Sequence, residues 1–557
     1  MPPTAQAPAH AQPPAAAEPS ASTETPEVDA AAVVAERERL QAAFERAVAQ
    51  PAASPSIPTP NDEAELTWLE YGGRNLEPLL AFTTLVDARW LLAFARGEVM
   101  PERRGIVPSW QALPPEAEAR LEDLRGSSWH GGLPIGVLSY GWEGVDHPDG
   151  SGARLRQLRP LLEAVVRHCD ELEEASGVRM TWGVLWDYLS LPQRRAAGGG
   201  AAGGAASSAA GGAAALKVDD RTSAERARYE MARAHMHHWY GMRHTYVLMI
   251  DTAVDARAPP LKPPLARRGW ATFEGALAGL VKAPDCMLDL AKGAEPGGVG
   301  GGDTGGGEVG GGDAGGGEAP TWAELRHRCT PTARPAPLAP PALEAVLGSR
   351  EVHFAIAEDR SLLVDQYRRA FLALLSETTE LDYAERGWGD GQLSTLADAL
   401  ESVPPTLPPD PSSSSSPRLA TRTRTAGRVS AHCVKPSCHS ASTTSRPAAQ
   451  LALPPTAGLS SRMRQRESVV QRDPPTPTRD CCHRRYAHTH GALSQLSGLH
   501  LSHNALSDAG FRRLAELLGA GVMGELQELE LEYNHATAEG RRLVKAASRS
   551  RGLACHA

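Results

Sequence analysis

Three short clusters hold the side chains that a ligand site in this chain would use. The first is Leu138-Ser-Tyr-Gly-Trp142-Glu143, followed by Asp146-His-Pro-Asp149. The second is Trp186-Asp187-Tyr188-Leu-Ser-Leu-Pro-Gln193, and the third is Arg268-Gly-Trp270-Ala-Thr-Phe-Glu274. The hydroxyls, rings and carboxylates of Ser139, Tyr140, Trp142, Asp187, Tyr188 and Trp270 suit substrate contacts, and Glu274 adds a further carboxylate. Trp270, Glu274, Leu277 and Val281 fall on one helical stripe, so Glu274 lies among core-facing residues. Carboxylates are seldom placed there without a partner or a task. The plainer reading pairs Glu274 with Arg267, Arg268 or Arg243. It makes Ser139, Tyr140 and Trp142 strand-end packing and lets Asp187 cap the following loop.

Other chemistry is thinner. His235, His237, His238 and His244 cluster without a carboxylate or Cys to complete a metal set. His432-Cys433, Cys438-His439 and Cys481-Cys482-His483 lack a matching second Cys pair, so no metal site is expected. Ser139 has no Gly-x-Ser-x-Gly elbow. No Gly-x-x-x-x-Gly-Lys occurs, which excludes the phosphate-binding switch of that type.

The elements that must position the clusters alternate between strand and helix. Ile135-Gly-Val-Leu-Ser-Tyr140, Trp182-Gly-Val-Leu-Trp-Asp187 and Thr245-Tyr-Val-Leu-Met-Ile250 are short apolar runs typical of buried strands. Leu155, Leu158, Leu162 and Val165 form a helical stripe, and Pro160 predicts a helix start or bend there. Tyr229, Ala232, Met236, Trp239 and Tyr240 mark a second helix, and Trp270 through Val281 a third. Such alternation implies a parallel sheet covered on both faces. The first two clusters then lie beyond the carboxyl ends of strands, where open α/β sheets take their ligands.

Around this region the composition changes. The 557 residues include Gly 54 and Pro 45, with only 5% aromatic residues. Gly- and Pro-rich tracts bury too little apolar surface to offset chain entropy. Residues 1–60 read as an unstructured tail with one solvated helix from Asp29 to Gln50, and 61–130 as a helical lead-in that includes Val86–Ala95. The α/β domain spans 131–295, with an Ala/Gly/Ser insertion at 195–216. A Gly-rich acidic linker follows at 296–320, then a helical region at 321–403 and a disordered Ser/Pro/Arg-rich insert at 404–490. Net charge of −9 argues against dedicated nucleic-acid binding. No apolar stretch reaches membrane-spanning length, no leader is evident, and single cysteines suit a reducing compartment, so the expectation is cytoplasmic.

The C-terminal segment 491–557 repeats. Leu496, Leu499, Leu501, Asn504 and Leu506 match L-x-x-L-x-L-x-x-N-x-L, and Leu526, Leu529, Leu531, Asn534 and Ala536 return thirty residues later. Asp390, Leu396, Ala397 and Leu400 superpose on Asp508, Leu514, Ala515 and Leu518, a half repeat upstream of the insert. The period resembles leucine-rich repeats of the ribonuclease-inhibitor type, in which the leucines point inward and the Asn binds backbone at the turn.

Ser139-Tyr-Gly-Trp142 with Trp186-Asp187 and Gln193 resembles the paired motifs of heterokaryon-incompatibility domains, although Trp186 here adjoins the Asp. Trp270 and Glu274 resemble the helix start of Toll/interleukin-receptor domains, with Ala271 where those carry Cys. The resemblance implies a flavodoxin-like parallel sheet with helices on both faces, joined to a small α/β repeat segment. It implies a role in signalling or recognition: homotypic assembly through the α/β domain and protein binding through the repeats. It also implies an alternative, cleavage of the nicotinamide–ribose bond of NAD with Glu274 as catalytic carboxylate and the six other residues holding substrate. Such bonds break through an oxocarbenium-like state that a carboxylate stabilises. No resident cofactor is implied; NAD would be a substrate.

Overall fold

The computed structural model of the chain describes residues 29–49, 67–127, 129, 131–144, 147–194, 219–250, 264–293, 319–331, 333–403 and 493–557. The expected unstructured stretches 1–28, 195–216, 297–318 and 404–490 lie outside the described residues, as do the Cys/His pairs of the insert and Asp146.

Helix α1 (Ala30–Ala49) opens the described chain. Expected to stand solvated, it buries Val33 and Leu40 and packs on the helix that carries the histidine cluster. Alanine-rich composition gives helix propensity, but a few apolar residues on one stripe are enough to dock it.

The stretch expected to be helical from Val86 begins instead with strand β1 (Val86–Asp87), and helix α2 (Ala88–Arg96) follows. Asp87 accepts hydrogen bonds from the backbone N–H groups of Arg89 and Trp90, so a capping carboxylate ends the strand and starts the helix.

Strand β2 (Ile135–Tyr140) is buried throughout. Helix α3 (Ala153–Ser176) returns to β3 (Gly183–Leu185), and the one-turn helix α4 (Asp187–Ser190) follows. Pro160 neither starts nor ends α3; it sits on the exposed outer face, and the helix begins at Ala153. Helix α5 (Ser223–Gly241), capped by the Thr222/Glu225 box, leads to β4 (Tyr246–Ile250). Helix α6 (Gly269–Val281) then leads to β5 (Met287–Asp289).

The strands lie in the order β1-β3-β2-β4-β5; β1 is antiparallel and the others are parallel. The three expected strands are the inner ones, and β1 and β5 add short edges. Alternation sorts the two faces. Leu138 and Tyr140 join the core under α2 and α3, while Ile135 and Val137 join the core under α5 and α6.

Three helices from 319–403 cover this body. Helix α7 (Trp322–Cys329) packs on α3, and Trp322 meets Trp129, Trp182 and Tyr246 in a ring cluster. Helix α8 (Pro340–Gly348) and helix α9 (Asp359–Glu377) lie against α6, and α9 also touches α5.

A second sheet is wholly parallel, in the order β6-β7-β8-β9: β6 (Glu380–Asp382), β7 (Gly498–His500), β8 (Glu528–Glu530) and β9 (Ala554–His556). Helices α10 (Asp390–Glu401), α11 (Asp508–Gly519) and α12 (Ala538–Ser550) follow the first three strands. Leu381, Leu499 and Leu529 occupy one register, so β6 pairs directly with β7 across the long sequence gap. Asn504 accepts from the N–H groups of Arg386 (3.1 Å) and Trp388 (2.9 Å) and donates to the Tyr383 and Leu501 carbonyls. Asn534 accepts from Leu506 N–H (3.1 Å) and donates to the Leu501 and Leu531 carbonyls. The equivalent Asp390 and Asp508 each accept from the hydroxyl and N–H of the next unit, at Ser507 and Thr537. A Cβ at Gly510 would collide with the Asp390 carboxylate, which fixes glycine there. No helix among the described residues is long and apolar enough to cross a membrane.

Candidate functional site

Ser139 and Tyr140 are neighbours on β2, so the strand sends them to opposite faces. This divides the expected site in two.

On the α6 side, Ser139 Oγ donates to Glu274 Oε2 over 2.7 Å. Both residues are buried, Glu274 with 8% of its surface exposed. The Tyr240 hydroxyl stands close to the same carboxyl and donates to the Leu138 carbonyl over 2.6 Å. Burial pushes the Glu274 carboxyl up to about 8, with the nearby Asp187 charge adding to the rise. It is therefore a neutral acid at neutral pH. The cations assigned to it by the plainer reading lie elsewhere. Arg267 meets Glu351 at 3.7 Å, Arg243 meets Glu380 at 3.7 Å, and Arg268 Nη1 donates to the Trp142 carbonyl over 2.8 Å.

On the α3 side, Asp187 ties the two strand ends together. Its Oδ1 accepts from the Tyr140 hydroxyl at 2.5 Å and from the Tyr188 N–H at 2.7 Å, and its Oδ2 accepts from Trp142 Nε1 at 3.0 Å. Asp187 therefore clasps the end of β2 to the turn that follows β3, without capping that turn. Burial raises its carboxyl above the ordinary range against these three donors, and burial followed by the Asp187 charge raises the Tyr140 phenol. Gln193 Nε2 closes the loop by donating to the carbonyls of Asp187 (3.1 Å) and Leu191 (2.9 Å). The Tyr188 ring meets Trp142 edge-on with centroids 5.8 Å apart.

Trp270 turns away from both groups: its indole N–H donates to Asp359 of α9 over 2.7 Å, and Asp359 also pairs with Arg233. The structure thus joins Ser139 with Glu274, and Tyr140, Trp142 and Tyr188 with Asp187, while Trp270 serves the α6–α9 contact.

The histidines pack as rings. His235 lies 5.7 Å from His238 and 4.3 Å from Phe44 of α1, and His244 stacks on Tyr71 at 4.4 Å. Burial pulls His235 and His244 down to about 4 and His237 to about 3, so all three are neutral. Among the described residues no group of three His, Cys, Asp or Glu side chains is arranged to hold a metal ion.

Two residues escaped the sequence reading. Tyr240 shows in the sequence only as part of a core stripe, although its hydroxyl reaches the Glu274 carboxyl. Arg154, at the start of α3, is fully buried. The signal for Arg154 was its place four residues before Leu158 on the apolar face.

Comparison of the chain with protein-family models, curated proteins and solved structures gives no match.

Proposed function

We propose that this chain is a recognition or signalling protein in which a Toll/interleukin-receptor-like and heterokaryon-incompatibility-like domain self-assembles and leucine-rich repeats bind a protein partner. The parallel strands follow the order β3-β2-β4-β5, which agrees with a flavodoxin-like sheet. The Asn and Asp ladders between successive βα units agree with a repeat array, a fold that presents an extended binding surface.

One observation carries the reading: helix α6 is shared. Its amino-terminal half holds Glu274, and its last carbonyls are gripped from the repeat side. Buried Arg334 donates to the carbonyls of Ala278 (3.1 Å), Gly279 (2.8 Å) and Lys282 (2.9 Å), and the Tyr383 hydroxyl donates to that of Leu280 at 2.5 Å. Trp388 Nε1 donates to the Arg334 carbonyl at 2.6 Å, and the rings of Tyr383 and Trp388 stack 4.6 Å apart. Tyr383 and Trp388 lie between β6 and α10, where Asn504 holds the backbone of both. A partner bound on the repeats therefore bears on a continuous bonded path to the helix of the α/β body. Sedimentation velocity of the full chain over a wide concentration range tests the assembly half. A mass-action rise in sedimentation coefficient is expected, and one monomer boundary at every concentration overturns it.

A specific observation favours a second reading, NAD cleavage. Glu274 is a buried carboxyl hydrogen-bonded by a serine at the carboxyl end of a central strand, and strongly shifted carboxyls cluster at functional sites. The chemistry needs an ionised carboxylate beside the developing cation. A hydrolase using Glu274 would therefore gain rate as pH rises through about 8. Because the group is neutral at neutral pH, the assembly reading stands first.

A further inference from the structure

Arg154 is the second residue of α3, and 0% of its surface is exposed. Its Nε, Nη1 and Nη2 have no hydrogen-bond partner. The Nε2 of Gln157 is likewise buried and without a partner. Residues three apart are neighbours on a helix surface, so these unused donors share one side of the first turns of α3.

Such an arrangement is costly unless something fills it. A guanidinium does not shed its proton in a protein, and a buried cation without a counter-charge is strongly destabilising. Among the described residues, the two carboxylates of the loop leading into α3 are committed elsewhere. Asp149 accepts from the N–H groups of Arg154 and Leu155, each at 2.9 Å, and Glu143 accepts from the N–H (3.1 Å) and hydroxyl (2.8 Å) of Ser151. A second guanidinium, Arg268 at the start of α6, stands close enough to feel the Arg154 charge. The place is the carboxyl end of β2, beside β4, where the strand order reverses and α/β sheets take ligands.

We propose that Arg154 and Gln157, flanked by Arg268, form a subsite for the phosphate group of a small phosphorylated ligand. Unused guanidinium donors, an amide donor and a second guanidinium match an oxyanion carrying more than one negative charge. The subsite stands independently of self-assembly and of NAD cleavage.

The test is the thermal midpoint of the full chain with inorganic pyrophosphate, compared with sodium chloride at equal ionic strength. Pyrophosphate raises the midpoint by about 2–4 °C or more and chloride does not. Arg154→Met removes the charge and keeps the apolar stem, so it raises the ligand-free midpoint and abolishes the pyrophosphate response. Arg268→Gln weakens the response, read against its own ligand-free midpoint, about tenfold. The subsite is overturned if pyrophosphate does no more than chloride or if the response survives in both variants. It is also overturned if Arg154→Met lowers the ligand-free midpoint or prevents folding, since the guanidinium would then already be satisfied.

Discussion

Ser139 and Glu274 lie 135 positions apart in the chain, yet a 2.7 Å hydrogen bond joins them across the interface between β2 and α6. The donor is a hydroxyl and the acceptor a carboxyl that burial keeps protonated to about 8. The pair therefore works in the resting protein as a neutral hydrogen-bonded contact.

That protonation makes stability depend on pH with a definite sign. The ordinary value for the Glu274 carboxyl is 4.5 and the folded value about 8, so between them the unfolded chain binds fewer protons. The contribution of Glu274 is full below 4.5 and is lost as pH rises toward about 8. Glu274→Gln should fold, should differ little from the parent at acid pH, and should lack this decline. Urea midpoints across the range check it, and equal slopes in both proteins would refute the assignment.

The histidines act with the opposite sign. His235 falls from 6.5 to about 4, so its contribution is full above 6.5 and is lost as pH drops to about 4. His235→Phe should keep the contact with Phe44 and flatten the acid limb of the stability profile. An unchanged acid limb would mean that other groups set it.

Asp187 satisfies three donors at once, and truncation strands them. Asp187→Ala should cost about 2–4 kcal/mol, because buried Tyr140 and half-buried Trp142 lose their acceptor. Tyr140→Phe, which removes a single bond, should cost about 1 kcal/mol. Denaturant midpoints give the ordering, and equal losses would contradict the clasp.

In the repeat segment the ordering comes from hydrogen bonding. Asn504 bonds both the Arg386–Trp388 turn and the carbonyls of Tyr383 and Leu501, whereas Asn534 has fewer partners. Asn504→Ala should therefore destabilise by about 2–4 kcal/mol and Asn534→Ala by less. Asn504→Ala should also speed hydrogen exchange at the carboxyl end of α6, because it loosens the loop that holds Tyr383 and Trp388. Exchange confined to the repeats would break the proposed path.

What could be read from the sequence was what repeats or runs. The apolar stretches around Val137, Val184 and Val247 gave the three inner strands, and the thirty-residue period gave the register of Leu499 on Leu529. Strands as short as Val86–Asp87 and Met287–Asp289 show no period, and their pairing is set by the neighbouring strand. Pro160 does not mark the start of α3, because a proline on an exposed helix face loses one hydrogen bond without stopping the turn. At the site, the clusters were visible but the separation of Ser139 from Tyr140 was not. It follows from strand alternation together with the placement of α3 and α6 on opposite faces. The escape of Glu274 from its expected arginines was also hidden, because Arg243 and Arg267 are drawn to Glu380 and Glu351.

The central claim is that the α/β body acts by assembly and recognition, with Glu274 as a neutral internal acid. The most direct test is nicotinamide release from NAD by the full chain at self-associating concentration, beside Glu274→Gln. The account predicts no release above background in either protein. Release by the parent that disappears in a folded, self-associating Glu274→Gln would contradict it and make the chain an enzyme.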